Sequence, residues 1–174
     1  AFPEAVLILV PRHPGRFDDV AGVLERAGHR FVRRTDEQPA SADTHIVLGD
    51  TMGEVPKFYA ASDVAFVGGS LVRVGGHNLL EPAALSKPII TGPHLFNAQD
   101  ISQKFKDSGS VVVVEDAPSL ARTVIGLLRD AELRDNMGER ALQLISENRG
   151  AVDRLLTRLE PVIGGGTFSI SLQG

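Results

Sequence analysis

Short apolar runs alternate along the chain with stretches whose apolar residues recur at helical spacing, the pattern of crossover units and a parallel sheet. Six strand-like runs are predicted, at residues 6–10, 30–34, 45–48, 64–67, 88–91 and 110–114. The second is the least apolar and is placed nearest an edge; the first and last read as buried on both faces. Phe17, Val20, Val23, Leu24 and Ala27 share one face of a helix that Gly28 can end, because glycine accepts the left-handed conformation. A shorter helix is expected over 55–61 with Pro56 in its first turn, and others over 79–85, 101–106 and 120–128. Beyond the sixth strand, Leu133, Met137, Ala141, Leu144, Ile145 and Asn148 continue one helical face. Val152, Leu155, Leu156 and Leu159 make a further helix before Pro161.

Six strands and five crossovers predict an α/β fold: a Rossmann-like, doubly wound six-stranded parallel sheet of order 3-2-1-4-5-6 with extra C-terminal helices. Ligands of such sheets bind beyond the C-terminal strand ends, near the switch point between the first and fourth strands. Residues 1–163 are read as one domain, and the glycine- and serine-rich residues 164–174 as a flexible tail or cloning remnant with no role.

Composition narrows the function. At 174 residues, 43% apolar and 23% charged, the chain suits one domain with its own core rather than a disordered segment. The absence of cysteine excludes disulfides, thiolate zinc sites and cysteine nucleophiles. A net charge of −4, with one Tyr and no Trp, opposes an electrostatically driven nucleic-acid binder, so any anion site must be local. Apolar runs of four or five residues fall far short of the roughly 20 a membrane span needs. A start on Ala1 just ahead of a strand leads us to expect one domain of a longer protein.

Four unusual loops follow strand ends and are expected on one rim: residues 11–16, 49–54, 68–78 and 92–94. The glycine-dense 68–78 leads into a helix, and such an approach brings backbone N–H groups to a phosphate; alternatively its glycines only permit tight turns. A dinucleotide fingerprint would instead follow the first strand, where this chain has Pro-Arg-His-Pro-Gly, so NAD binding is disfavoured. Asn78-Leu79-Leu80-Glu81 reads as a capping box or, with Glu81 accepting from ribose hydroxyls, as part of a nucleotide site. Thr51-x-x-Glu54 is a capping box or a base-recognition loop. Arg12, just past a buried strand, suits bidentate pairing with phosphate, or a structural ion pair. His13, His77 and His94 are read as loop hydrogen-bonding residues rather than metal ligands, since no helical i, i+4 pair or carboxylate cluster accompanies them. Asp50 and Asp63 look isolated at strand ends, with no acid–base pair and no nucleophile elbow.

The run Gly49-Asp50-Thr51-Met52-Gly53-Glu54, then Tyr59-Ala60-Ala61-Ser62-Asp63-Val64-Ala65-Phe66-Val67-Gly68-Gly69-Ser70, then Gly75-Gly76-His77-Asn78-Leu79-Leu80-Glu81-Pro82-Ala83 closely resembles the C-terminal half of bacterial Kdo transferases. Val10-Pro11-Arg12-His13-Pro14 and Gly92-Pro93-His94 with Phe96-Asn97 are similar to motifs of the same family, so the resemblance spans about residues 6–155. Leu79 stands where the family leads us to expect Pro, and Val55 where it leads us to expect Leu.

The resemblance implies the C-terminal, donor half of a GT-B glycosyltransferase. The family transfers 3-deoxy-D-manno-octulosonic acid (Kdo) from CMP-Kdo to a lipid A precursor in lipopolysaccharide assembly, with inversion, without cofactor or metal. By that analogy Arg12 and the backbone of Gly69-Ser70 and Gly75-Gly76 face the CMP phosphate, Met52 and Gly53 border the cytosine, and Asn78 and Glu81 hold phosphate and ribose. The catalytic base and the acceptor site are expected in an N-terminal domain outside this chain, so the chain binds donor without catalysing. The full-length protein is expected to associate peripherally with the cytoplasmic face of the inner membrane. Two other readings share these motifs: another GT-B nucleotide-sugar transferase or epimerase, and a non-catalytic nucleotide-binding module.

Overall fold

A computed structural model of the chain describes residues 2–36, 41, 43–96 and 99–159, with the backbone alone at 99 and 148–159. Asn97 and the tail at 164–174 lie outside the described residues. The elements run β1 (Leu7–Leu9), α1 (Phe17–Arg26), β2 (Phe31–Arg33), β3 (Ile46–Leu48), α2 (Val55–Ala61), β4 (Ala65–Val67), α3 (Leu80–Ala84), β5 (Ile89–Thr91), α4 (Gln99–Asp107), β6 (Val111–Val113), α5 (Ala117–Arg129) and α6 (Ala131–Leu159). Every strand falls inside one of the six predicted runs, and all pairings are parallel.

The sheet differs from the expected order. The strands form two three-stranded sheets, β1-β3-β2 and β4-β5-β6, rather than one six-stranded sheet of order 3-2-1-4-5-6. β3, with Ile46 and Leu48 buried, takes the middle of its sheet, while the half-exposed β2 lies at the outside, as its composition suggests. β1 and β6 are not buried on both faces. Each is an outer strand of its sheet, and Leu7 is 53% exposed and Val113 37%.

The main core is built around β5, whose three residues are fully buried. Its side chains alternate across the sheet. Ile89 joins Val67 and Val111 against Ala83, Phe105 and Ala141 from α3, α4 and α6. Ile90 meets Leu127 of α5 and Met137 of α6 on the other side. Among the described residues before β4, only Ala21, Leu24, Ile46 and Leu48 are buried hydrophobics, and Val23, expected on the packed face of α1, is exposed.

Local chemistry explains the helix ends. Gly28, at φ +73°, ends α1 in a Schellman motif: its N–H donates to Glu25 O and the His29 N–H to Leu24 O. α5 starts on Asp116, whose carboxylate accepts from the Ser119 N–H while the Ser119 hydroxyl accepts from the Asp116 N–H. The two C-terminal helices expected from the pattern are one helix, α6, which carries Gly150 in its interior at a cost of about 1 kcal/mol relative to alanine.

α3 ends in a second Schellman motif, with the Lys87 N–H donating to Pro82 O and the Ser86 N–H to Ala83 O. Here the left-handed position is filled by Ser86, at φ +54°. α6 crosses this turn at Gly138, where a Cβ would run into the Ser86 carbonyl. Ser86→Gly should therefore stabilise the chain by about 0.5–1 kcal/mol, and Gly138→Ala should destabilise it by about 1–3 kcal/mol. Urea midpoints of the two variants check both signs.

Candidate functional site

Because the strands of each sheet are parallel, their C-terminal ends and the loops that follow share a rim. The 68–78 loop is rooted there by Ser70, which is fully buried. Its hydroxyl donates to Val67 O at 2.7 Å and accepts from the Gly92 N–H at 2.8 Å, and its carbonyl accepts from the His94 N–H at 3.0 Å. This ties the end of β4 to the loop after β5. Gly92 is obligatory, since a Cβ there would enter the Ser70 carbonyl. The Ser70 side chain thus positions the loop and is not free to meet a ligand.

The far end of the loop folds back on its start. The Gly76 N–H donates to Gly69 O at 2.8 Å and the His77 N–H to Gly68 O at 3.1 Å, so neither amide is available to an anion. Gly69, Gly75 and Gly76 all have positive φ, the conformations this reversal demands. The His77 ring lies against Gly69, and its Nδ1 sits 3.1 Å from an Arg12 Nη1. This contact, across 65 residues of sequence, brings the loop after β1 onto the loop after β4. Arg12 is exposed, and among the described residues no carboxylate pairs with it. Burial lowers the His77 pKa, the charges of Arg12 and His13 lower it further, and Glu81 opposes them.

Asn78 and Glu81 stand where the loop enters α3, but not as a capping box. The Leu80 N–H donates to Asn78 Oδ1 at 3.0 Å, and the Asn78 amide donates to Glu81 Oε1 at 3.2 Å, so Glu81 does not reach back to the backbone. Both side chains are exposed on the rim. At five residues α3 is shorter than expected and its dipole correspondingly weak. Burial pushes the Tyr59 pKa up to about 12, with the charge of Glu81 adding to it.

The β3–α2 loop is clamped at both sides of Met52 and Gly53. Asp50, expected to be isolated, is buried and accepts from the Thr35 N–H at 3.0 Å and the Thr35 hydroxyl at 2.7 Å, with Arg33 3.7 Å away and itself paired to Asp18 at 2.8 Å. Burial favours the neutral Asp50 acid, but these donors together outweigh it and its pKa falls. Glu54 is the N-cap residue of α2 without capping through its side chain, so the second expected capping box is absent as well. It accepts instead from the Thr51 hydroxyl at 2.6 Å and Lys57 at 3.0 Å, and pairs with Arg34 at 3.2 Å. Between these clamps Gly53 turns at φ +77° and Met52 is 66% exposed. Thr35 on Asp50, Arg34 on Glu54 and His77 on Arg12 are 15, 20 and 65 residues distant from them, spacings that carry no local signal, whereas Thr51 and Lys57 lie three residues from Glu54.

The chain as a whole is similar to known proteins. A family model described as glycosyl transferases group 1 matches residues 19–144. Over 163 residues, 93% of the chain, the sequence is 44% identical to the 3-deoxy-D-manno-octulosonic acid transferase of Haemophilus influenzae. It is 39% identical over 165 residues, 94% of the chain, to the protein of that name from Bordetella pertussis. These matches cover 38% and 39% of the two relatives, so the chain spans about two fifths of their length. The crystal structure of the C-terminal CMP-Kdo binding domain of WaaA from Acinetobacter baumannii superposes with a TM-score of 0.77 at 38% identity, covering 80% of this chain and 73% of that one.

The Glu54 clamp makes a pH prediction. Hydrogen bonds from Thr51 and Lys57 lower its pKa from 4.5 to about 2, and the Arg34 charge assists. A carboxylate with a depressed folded pKa stabilises the fold above its unfolded pKa, and that contribution is lost as pH falls through the folded value. Urea midpoints measured between pH 2 and pH 6 should therefore fall more steeply toward acid for wild type than for Glu54→Gln; parallel curves would refute the clamp.

Proposed function

The chain belongs to the group 1 glycosyl transferases, and from that premise we propose that it is the donor-binding domain of a Kdo transferase, holding CMP-Kdo on the rim described above. The observation that carries the reading is Arg12, an exposed guanidinium held by His77 beside the Gly68–Gly69 turn, in a chain similar over most of its length to a CMP-Kdo binding domain. A guanidinium at the end of β1 that no carboxylate among the described residues pairs is a ready counter-charge for a phosphate.

In this reading Arg12 faces the CMP phosphate, with the backbone of Gly69 and Gly75 lining its approach. Met52 and Gly53 border the cytosine, the clamped loop presenting a preformed edge to the base. Glu81 accepts from the ribose hydroxyls, and Asn78 steadies its carboxylate through the hydrogen bond it already makes. Departure of CMP from the anomeric carbon builds negative charge on the phosphate. Fixed donors stabilise that charge more in the transition state than in the ground state, which is the part of binding that accelerates the step. The acceptor, a lipid A precursor in lipopolysaccharide assembly, and the base that activates its hydroxyl belong to the remainder of the full-length protein, which works at the inner membrane. The chain alone binds donor without turning it over.

Calorimetric titration with CMP, UDP and NAD, each with and without EDTA, tests the proposal. Selective binding of CMP, unaffected by EDTA, is expected. Arg12→Ala and Glu81→Ala should each weaken it by about tenfold or more, the scale of a lost charged hydrogen bond. A preference for UDP would move the chain to another nucleotide-sugar transferase, and wild-type affinity in both folded variants would remove the proposed site.

A further inference from the structure

We propose that His77 is a positioning residue for the donor phosphate, its neutral Nδ1 accepting a hydrogen bond from Arg12 and so holding the guanidinium in one orientation before the ligand arrives. The inference rests on the donor reading above and adds to it a residue that the sequence alone leaves as a loop hydrogen-bonding histidine.

Three observations carry it. Arginine has only N–H donors, so at 3.1 Å the Nδ1 atom must be the acceptor, and the ring proton is then on Nε2. The ring is also confined. A Cβ at Gly69 would lie 3.0–3.1 Å from His77 Cε1 and Nε2, and the backbone of His77 is tied to Gly68. An acceptor fixed in this way can fix what it holds. Finally, the charged and titratable groups that bear on the ring are Arg12, His13 and Glu81. Burial, Arg12 and His13 disfavour its protonation, with Glu81 opposing them, which favours the form that accepts.

The consequence concerns affinity. A long exposed arginine loses rotamer freedom when it grips a ligand. An arginine already held in place has lost part of that freedom beforehand. His77 thus acts through Arg12 and not by touching the nucleotide.

Two measurements on the whole chain test this. Nitrogen NMR of the ligand-free chain should show the His77 ring protonated on Nε2, with the tautomers mixing in Arg12→Ala; an Nδ1-protonated ring would overturn the lock irrespective of any ligand. Calorimetry with CMP should then separate the two ring nitrogens. His77→Asn keeps an acceptor near the Nδ1 position and should bind within about twofold of wild type, whereas His77→Gln places its polar group nearer Nε2 and should bind about five- to tenfold more weakly, the scale of one hydrogen bond. In an Arg12→Ala background His77→Gln should cause no further loss. Strong binding by His77→Gln with weak binding by His77→Asn would overturn the proposal in favour of direct contact through Nε2. If wild type bound no CMP at all, the donor reading would fall and the phosphate role of His77 with it, while the tautomer would still report whether the Arg12 lock exists.

Discussion

A single buried hydroxyl organises the rim. Ser70 joins the carbonyl of Val67, at the end of β4, to the amide of Gly92, just past β5, and its own carbonyl accepts from His94. All of this is out of water, where an unpaired hydroxyl or amide would cost about 1–3 kcal/mol, so the three groups hold one another in place. The approach is so close that position 92 admits no side chain beyond hydrogen. Everything else in the 68–78 loop is measured from this root: the reversal through three positive-φ glycines, the return of His77 over Gly69, and through His77 the placement of Arg12 from a different sheet.

The rim divides electrostatically. Around the β3–α2 loop the charges satisfy one another: Asp50 with Thr35 and Arg33, Glu54 with Thr51, Lys57 and Arg34. That leaves Met52 and Gly53 as an uncharged tip on a braced frame, suited to a flat neutral group. Around the glycine loop the balance is the reverse. Arg12 meets a neutral imidazole, which orients it without cancelling its charge, and an anion would supply the missing counter-charge. A base beside the first and a phosphate beside the second is the arrangement a nucleotide offers.

Packing supports this arrangement unevenly. The sheet of β4, β5 and β6 is covered on both faces, with α3 pressed onto α6 where Gly138 meets the turn at Ser86. This anchors Asn78 and Glu81, which sit at the entry to α3. Among the described residues the sheet of β1, β3 and β2 has few buried hydrophobics, and the His77 contact ties Arg12 to the better-packed sheet.

The chain's own order of residues determined the six strands, the helices between them, the end of α1 at Gly28 and the loops that would carry chemistry. These follow from periodicity and from glycine's backbone freedom, which act within a few residues. Its motifs also pointed to the family that comparison then showed. Strand order, the single continuous α6, the exposure of β1, the absent capping boxes at Asn78 and Thr51, and the partners of Asp50 were decided only in three dimensions. So was the role of Ser70, whose hydroxyl binds the fold together rather than a ligand. Sheet neighbours and hydrogen-bond partners are chosen by burial and by competition among groups far apart in the chain. Arg12 and His77 have no local relation that spacing would reveal; they meet because two strand ends are brought to one rim.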